Sequence, residues 1–410
     1  MYDFANSSYT TVVTTAIFNA YFVAVVAGNA PWATFAWTTA LAVSYALIMV
    51  TAPVIGAYAD VHAAKKRLLL LTTAGCVVFT AGLALVGQGE LALGVALVIL
   101  SNYFFGSGEN LIAAFLPEIA HGEAMGRVSG WGWSLGYCGG LVALGACLIY
   151  VTHAQARGAT AAEFVPVTML ITAALFAIAS LPTFLFLKER AQPVAGAHDV
   201  VRSAFARVAD TLGHARRHVD LWRFLVCVVF YQAGIMTVVA LAAVYSQEVM
   251  GFTTRDTLIL ILVVNITAAA GAFAFGHVQD RIGHVRTLVI TLVGWLIAVV
   301  LAWTVTTVGM FWVLANLVGV CLGSSQSAGR ALVGYLSPPA RTAEFFGLWG
   351  LAVKLSAILG PMTYGLVTWM THGNHRLAML VTGVFFVIGL GILAGLDVAR
   401  GRRAALEDQP

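Results

Sequence analysis

Gly56 to Arg67 reads GAYADVHAAKKR, which sets an acid, a histidine and three consecutive cations into a long apolar run. The arrangement returns 220 residues later. Gly276 to Arg286 reads GHVQDRIGHVR, again a glycine, an aspartate four residues on, and trailing cations. Each copy lies between two apolar runs of membrane-crossing length. A polar signature repeated once in the same hydropathic context is the mark of two similar halves joined in tandem.

The composition supports that setting. With 60% hydrophobic and 10% charged residues, against roughly 25% charged in an ordinary soluble domain, most of the chain cannot face water, and an integral membrane protein is expected. A net charge of +4 is too small to imply nucleic acid. Cys76, Cys138, Cys147, Cys227 and Cys321 stand apart in apolar runs with no CxxC pair, which argues against a disulfide framework or a zinc site. The first apolar run lacks a positive n-region and continues for about 25 residues, so it reads as a first span and not as a cleavable signal.

A window of about 19 residues places spans near 3–27, 35–58, 68–87, 91–118, 129–151 and 164–187, then 222–246, 257–278, 287–306, 310–333, 344–370 and 376–396. Strand alternation is absent, and lipid has no partner for an open sheet edge, so the spans are helices. The expected fold is an all-α polytopic membrane protein, twelve transmembrane helices in two pseudo-symmetric six-helix bundles. The bundles take residues 1–187 and 222–410, with a linker over 188–221. Within the linker Val200, Val201, Ala204, Phe205, Val208 and Leu212 recur at helical spacing. That pattern suits an amphipathic helix lying on the inner leaflet or offering a partner site.

Of the 22 Lys and Arg residues, Arg157, Arg255 and Arg376 fall on one side, Arg330 and Lys354 fall within spans, and the remaining seventeen share the other side. By the positive-inside rule both termini and the linker are cytoplasmic, in a bacterial plasma membrane. Gly132, Gly136 and Gly140, and Ala268, Ala272 and Gly276, form small-residue ridges where helices can approach closely.

The paired Gly-x-x-x-Asp loops between spans 2 and 3 and spans 8 and 9, with twelve spans and a long central loop, resemble the major facilitator superfamily. The opening Tyr2-Asp3-Phe4-Ala5-Asn6-Ser7-Ser8-Tyr9 is similar to that of its vacuolar amino-acid effluxer branch. So are Arg127-Val128-Ser129-Gly130-x-Gly132 and the segment Phe346-Gly347-Leu348-x-Gly350 through Lys354, Gly360 and Pro361. Two departures stand out. Val61 occupies the place where the superfamily usually has a cation, and Tyr231-Gln232-Ala233-Gly234 has alanine where the branch tends to carry an aspartate. The resemblance implies a secondary transporter rather than an enzyme, with spans 1, 4, 7 and 10 lining a midplane cavity and an amino acid or similar metabolite as solute.

Charges inside spans cost about 2.5–3.5 kcal/mol each on insertion scales, so they are functional candidates. Glu109 follows Gly106-Ser107-Gly108 in span 4 and suits proton carriage or substrate contact, against a structural ion pair. Lys354 lies too deep in span 11 to snorkel easily and suits an anion site or gate bridge. Asp3 begins span 1, where an acid also serves the helix N-terminus. Asn6, Asn19, Tyr45, Asn102, Tyr137, Tyr231, Gln232, Asn265 and Gln326 extend the candidate lining, with interhelical bonding equally open.

A cytoplasmic gate is read at Gly56, Asp60, Gly276, Asp280, Arg281 and Arg330, with each aspartate meeting cations or a helix N-terminus of the facing half. Arg330 is expected to pair with an acid such as Asp280, and Lys65, Lys66 and Arg67 to serve orientation and lipid contact. Asp280→Asn is expected to slow transport at least as much as Asp60→Asn. No metal or cofactor motif is present. The expected function is proton-coupled transport of a small solute by a monomer in contact with lipid, without nucleic acid. A non-transporting receptor or assembly factor on the same scaffold is the alternative.

Overall fold

The computed structural model describes residues 1–28, 30–120, 124–190, 218–252 and 254–407. The amphipathic pattern of the linker lies outside them. Twelve helices are long and apolar enough to cross a membrane: α1 (Tyr2–Val26), α2 (Phe35–Val61), α3 (Lys65–Leu85), α4 (Leu91–Ile119), α5 (Met125–Ala156), α6 (Ala161–Phe186), α7 (Val219–Ala242), α8 (Ile259–Ile282), α9 (His284–Thr304), α10 (Val308–Leu336), α11 (Pro339–Met370) and α12 (His375–Ala394). All twelve expected spans are present. Several start a few residues early, because a helix continues past the end of its apolar stretch into polar caps. No strand occurs among the described residues.

Local sequence accounts for the irregularities. In α1 the β-branched run Thr10-Thr11-Val12-Val13-Thr14-Thr15 is wound as π-helix over Thr10–Ala16, where stiff side chains and a Thr14 hydroxyl bonded to the Thr10 carbonyl at 2.7 Å disfavour regular α turns. The helix of α7 continues to Met250 and stops at Gly251, whose φ of 67° gives a left-handed cap.

Helices α1–α6 and α7–α12 form the two six-helix bundles. They meet along two seams, α2 against α11 and α5 against α8, with α10 on α5 and α4 on α11 beside them. The outer faces are apolar. Phe186 is 79% and Trp369 78% exposed, a load of uncovered aromatic surface that only lipid can accept. The final helix, α13 (Val398–Glu407), docks through Arg400 to the Asp220 carboxylate at 2.7 and 2.8 Å, and through Arg402 to the Tyr335 carbonyl at 2.8 Å. Asp220 opens α7, Tyr335 closes α10, and Asp3 at the start of α1 meets Arg330 near the end of α10, so the starts of α1 and α7 and the final helix lie on one side of the bundle pair, here called the terminal face.

Candidate functional site between the bundles

At the terminal face the α2–α11 seam is shut by Asp60. Its carboxylate accepts the backbone N–H of Glu344 at 2.9 Å, in the first turn of the helix Thr342–Met370, where free N–H groups and the helix dipole favour an anion. The Lys65 ammonium lies 3.1 Å from Asp60 and 2.9 Å from Glu118, and donates to the Thr342 hydroxyl at 2.6 Å. Lys65 is 1% exposed, so it is buried in the seam and is not the lipid contact expected. The connection after α2 explains this: Ala63 adopts a left-handed φ of 49° and folds the chain back. A cation four residues after Val61 thereby reaches the aspartate that lacks one beside it. Glu189, at the start of the linker, caps α3 by accepting the Lys65 and Lys66 N–H groups at 2.7 and 3.1 Å.

On the α5–α8 seam Asp280 accepts the Arg127 N–H at 3.1 Å, in the first turn of α5. Both gate aspartates therefore meet a helix N-terminus of the facing bundle. Gly56 and Gly276 admit this approach. A Cβ at Gly56 would run into the Ala343 carbonyl, and one at Gly276 would lie 2.9 Å from the Gly126 oxygen. Arg281, at the end of α8, is exposed and is not drawn into the seam.

Arg330 does not pair with Asp280. Asp280 is engaged by the α5 terminus, and Arg330 projects from α10 toward α1, where its Nη1 donates to both Asp3 carboxylate oxygens at 3.0 and 2.9 Å. Its Nη2 and Nε donate to the carbonyl and hydroxyl of Ser129 at 2.9 and 3.2 Å, and the guanidinium lies 5.4 Å from the Trp133 ring.

Deeper along the α2–α11 seam, the Lys354 ammonium and Glu109 carboxylate form an ion pair at 3.4 Å, with 11% and 28% of the side chains exposed. The ammonium sits over the Tyr45 ring at 5.2 Å, within cation–π range. Three candidates from three helices thus meet at one point between the bundles. Between this point and the gate lies a cavity of about 10 Å³ lined by Ala52, Ile55, Gly56, Ser107, Asn110, Leu111 and Ala343.

The other candidates divide. Gln232 and Gln326 exchange amide hydrogen bonds at 2.7 and 3.3 Å, joining α7 to α10. Asn102 donates to Ser44 at 3.0 Å and Asn265 to the Ile261 carbonyl in its own helix at 2.8 Å, so both serve packing. Tyr137 packs on Trp133 at 5.9 Å. The Tyr231 hydroxyl faces the backbone at Gly329. Asn6 is 7% exposed, one turn beyond Asp3, and Asn19 is half-buried between the π-helical segments of α1. Sequence reasoning missed Lys65, Glu118 and Ser129 as site residues. Ser129 carried only the motif that marks the start of span 5.

A family profile described as "Vacuole effluxer Atg22 like" matches residues 20–406. The MFS-type transporter YxiO of Bacillus subtilis (strain 168), named as uncharacterized, is 27% identical over 401 residues, covering 96% of this chain and 92% of that protein. Autophagy-related protein 22 of Kluyveromyces lactis is 28% identical over 208 residues, 48% of this chain and 42% of that longer protein. The proton:xylose symporter XylE, bound to 6-bromo-6-deoxy-D-glucose, matches with a TM-score of 0.73 over 96% of this chain and 93% of its own at 14% identity, a likeness of fold. The chain belongs to the vacuole effluxer Atg22-like family, and it is a membrane transporter of the major facilitator type, not an enzyme.

Proposed function

We propose that this protein is a secondary active transporter that carries an amino acid or similar zwitterionic metabolite by alternating access, with protons as the coupling ion. The observation that carries the reading is the Glu109–Lys354 pair, a carboxylate and an ammonium held 3.4 Å apart by different bundles. A zwitterion entering there would give each its own partner, exchanging one ion pair for two at little net desolvation cost. Glu109 can hold either a proton or the solute ammonium, so the two would compete for one carboxylate and their movements would be tied. The gates at Asp60 and Asp280 then hold the terminal face shut while solute enters from the opposite side.

In this reading the units are residues 1–187 and 222–410 joined by the linker 188–221. The terminal face is cytoplasmic, the membrane is a bacterial plasma membrane, and a monomer suffices. Proteoliposomes test it. Labelled amino acids should show protein-dependent flux stimulated by a pH gradient, and Glu109→Gln should abolish the stimulation. Absence of flux across a broad amino-acid panel rejects the solute class, and an unchanged pH response in the variant removes Glu109 as proton carrier.

A further inference from the structure

We infer that Asp3, Arg330 and Ser129 form a one-sided latch that sets how readily the terminal face opens. The inference rests on the alternating-access reading only in taking the parting of the bundles to be a working motion. All four polar partners given above for Arg330 lie on α1 and α5, in the bundle opposite its own. Its side chain is 8% exposed, while that of Asp3 keeps 22%. Separating the bundles therefore strips a nearly buried guanidinium of a carboxylate, a hydroxyl and a carbonyl together, the most costly kind of loss at low dielectric. The Ser129 hydroxyl adds a further tie, donating to the Ser327 carbonyl on α10 at 2.8 Å.

Two glycines of α5, Gly132 of the ridge and Gly139 beside it, build the latch. A Cβ at Gly132 would overlap both the Asp3 carboxylate and the Arg330 guanidinium, and one at Gly139 would strike the Phe4 backbone. Gly132 thus clears space for the ion pair, and Gly139 lets the first turn of α1 lie against α5, which aims Asp3 at α10. The ridge reads from sequence as a place where helices approach closely, and at Gly132 that approach also makes room for a charge pair.

The latch has no counterpart on the other seam. By the 220-residue offset Arg330 corresponds to Asn110, whose side-chain nitrogen has no hydrogen-bond partner among the described atoms and which lines the small cavity between α2, α4 and α11. The charge that crosses this seam is at the neighbouring position, in the Glu109–Lys354 pair, whose carboxylate keeps 28% exposure and which makes one contact of 3.4 Å where Arg330 makes four. Asp3, Ser129 and Arg330 are positioning residues: they bias the arrangement of the bundles and need not touch solute.

The test reads opening directly. Leu111, 2% exposed, lines the cavity in the other seam and is remote in sequence from the latch, so Leu111→Cys in a Cys138→Ser background reports the parting of whole bundles to a maleimide added without solute. Asp3→Asn and Arg330→Gln should each raise the labelling rate about tenfold, the size of a typical coupling between distant parts. Ser129→Ala should give a smaller rise. Arg330→Lys, and the charge exchange of Asp3→Arg with Arg330→Asp, should bring labelling back toward the parent rate. Wild-type labelling in both single variants overturns the latch, as does an exchanged pair that labels as fast as the single variants while unfolding at the parent temperature. If the single variants do not fold, Ser129→Ala decides, and an unchanged rate there rejects the proposal. Solute flux does not enter this readout, so failure of the amino-acid assignment leaves it standing.

Discussion

The α2–α11 and α5–α8 seams occupy equivalent places in the two halves, yet they are closed by different chemistry. Both begin with an aspartate seated on the first turn of a facing helix, Asp60 at Glu344 and Asp280 at Arg127. Beyond that they part. Asp60 is 4% exposed and shares Lys65 with Glu118, whereas Asp280 is half-buried and its seam continues as glycine on backbone until the Arg330 latch. The contact with backbone N–H groups is thus common to both copies, while the side chains around it differ. A helix N-terminus presents its N–H groups whatever residues compose it, so only the aspartate and its glycine need be kept.

The largest effect should come from removing the shared cation. Lys65→Met leaves Asp60 and Glu118 without it, both buried or nearly so, and breaking such a cluster costs about 3 kcal/mol. Thermal unfolding of the purified variant should show the loss, and an unchanged transition would mean that the cation adds nothing to the seat of Asp60 on the facing helix start, which is the arrangement at Asp280.

The aspartates come next. The geometry ranks them opposite to the expectation from motif quality. Asp60→Asn gives up an ion pair as well as the charge at a helix start, whereas Asp280→Asn keeps an oxygen for the Arg127 N–H and gives up only that charge, worth about 0.3–1 kcal/mol. Initial transport rates should therefore fall further for Asp60→Asn; equal rates would show that the helix-terminus contact common to both seams is all that matters.

The smallest effect should lie at the cavity of the α2–α11 seam. The Ser107 hydroxyl is 2% exposed and without a hydrogen-bond partner among the described atoms, and an unsatisfied buried hydroxyl is a net cost. Ser107→Ala should raise the unfolding free energy by about 1 kcal/mol. A drop instead would mean that a water bridges the two bundles there, tightening a seam that otherwise looks looser than its partner.

Much of this was legible beforehand. Hydropathy alone places twelve helices, because a span must be about 20 apolar residues long whatever it packs against. Glu109, Lys354 and Asp3 stand out because charge in a span is expensive, and all three prove to be paired. The errors have one source. Lys65 sits in a row of three cations that look alike in sequence, and only the reversal at Ala63 sends the first of them inward. From sequence Arg330 is expected to find an acid such as Asp280, but its direction on α10 carries it to Asp3 on α1. Of the two roles open to the span asparagines, hydrogen bonding between helices is the one Asn102 takes up with Ser44, while Asn265 bonds a carbonyl of its own helix.

The sequence by itself therefore determined the number of helices, their division into two related halves, and the short set of residues too costly to place in lipid without a reason. Those properties follow from the transfer cost of each residue and from spacing along the chain, which are local. Only the tertiary structure decided which charges meet. Asp3 and Arg330 are 327 residues apart, and Glu109 and Lys354 are 245 apart. Whether such groups touch depends on the rotation of each helix about its axis and on how closely glycines let two backbones approach. Those quantities are set by all the packed neighbours at once, and so the two seams, alike in sequence motif, close in different ways.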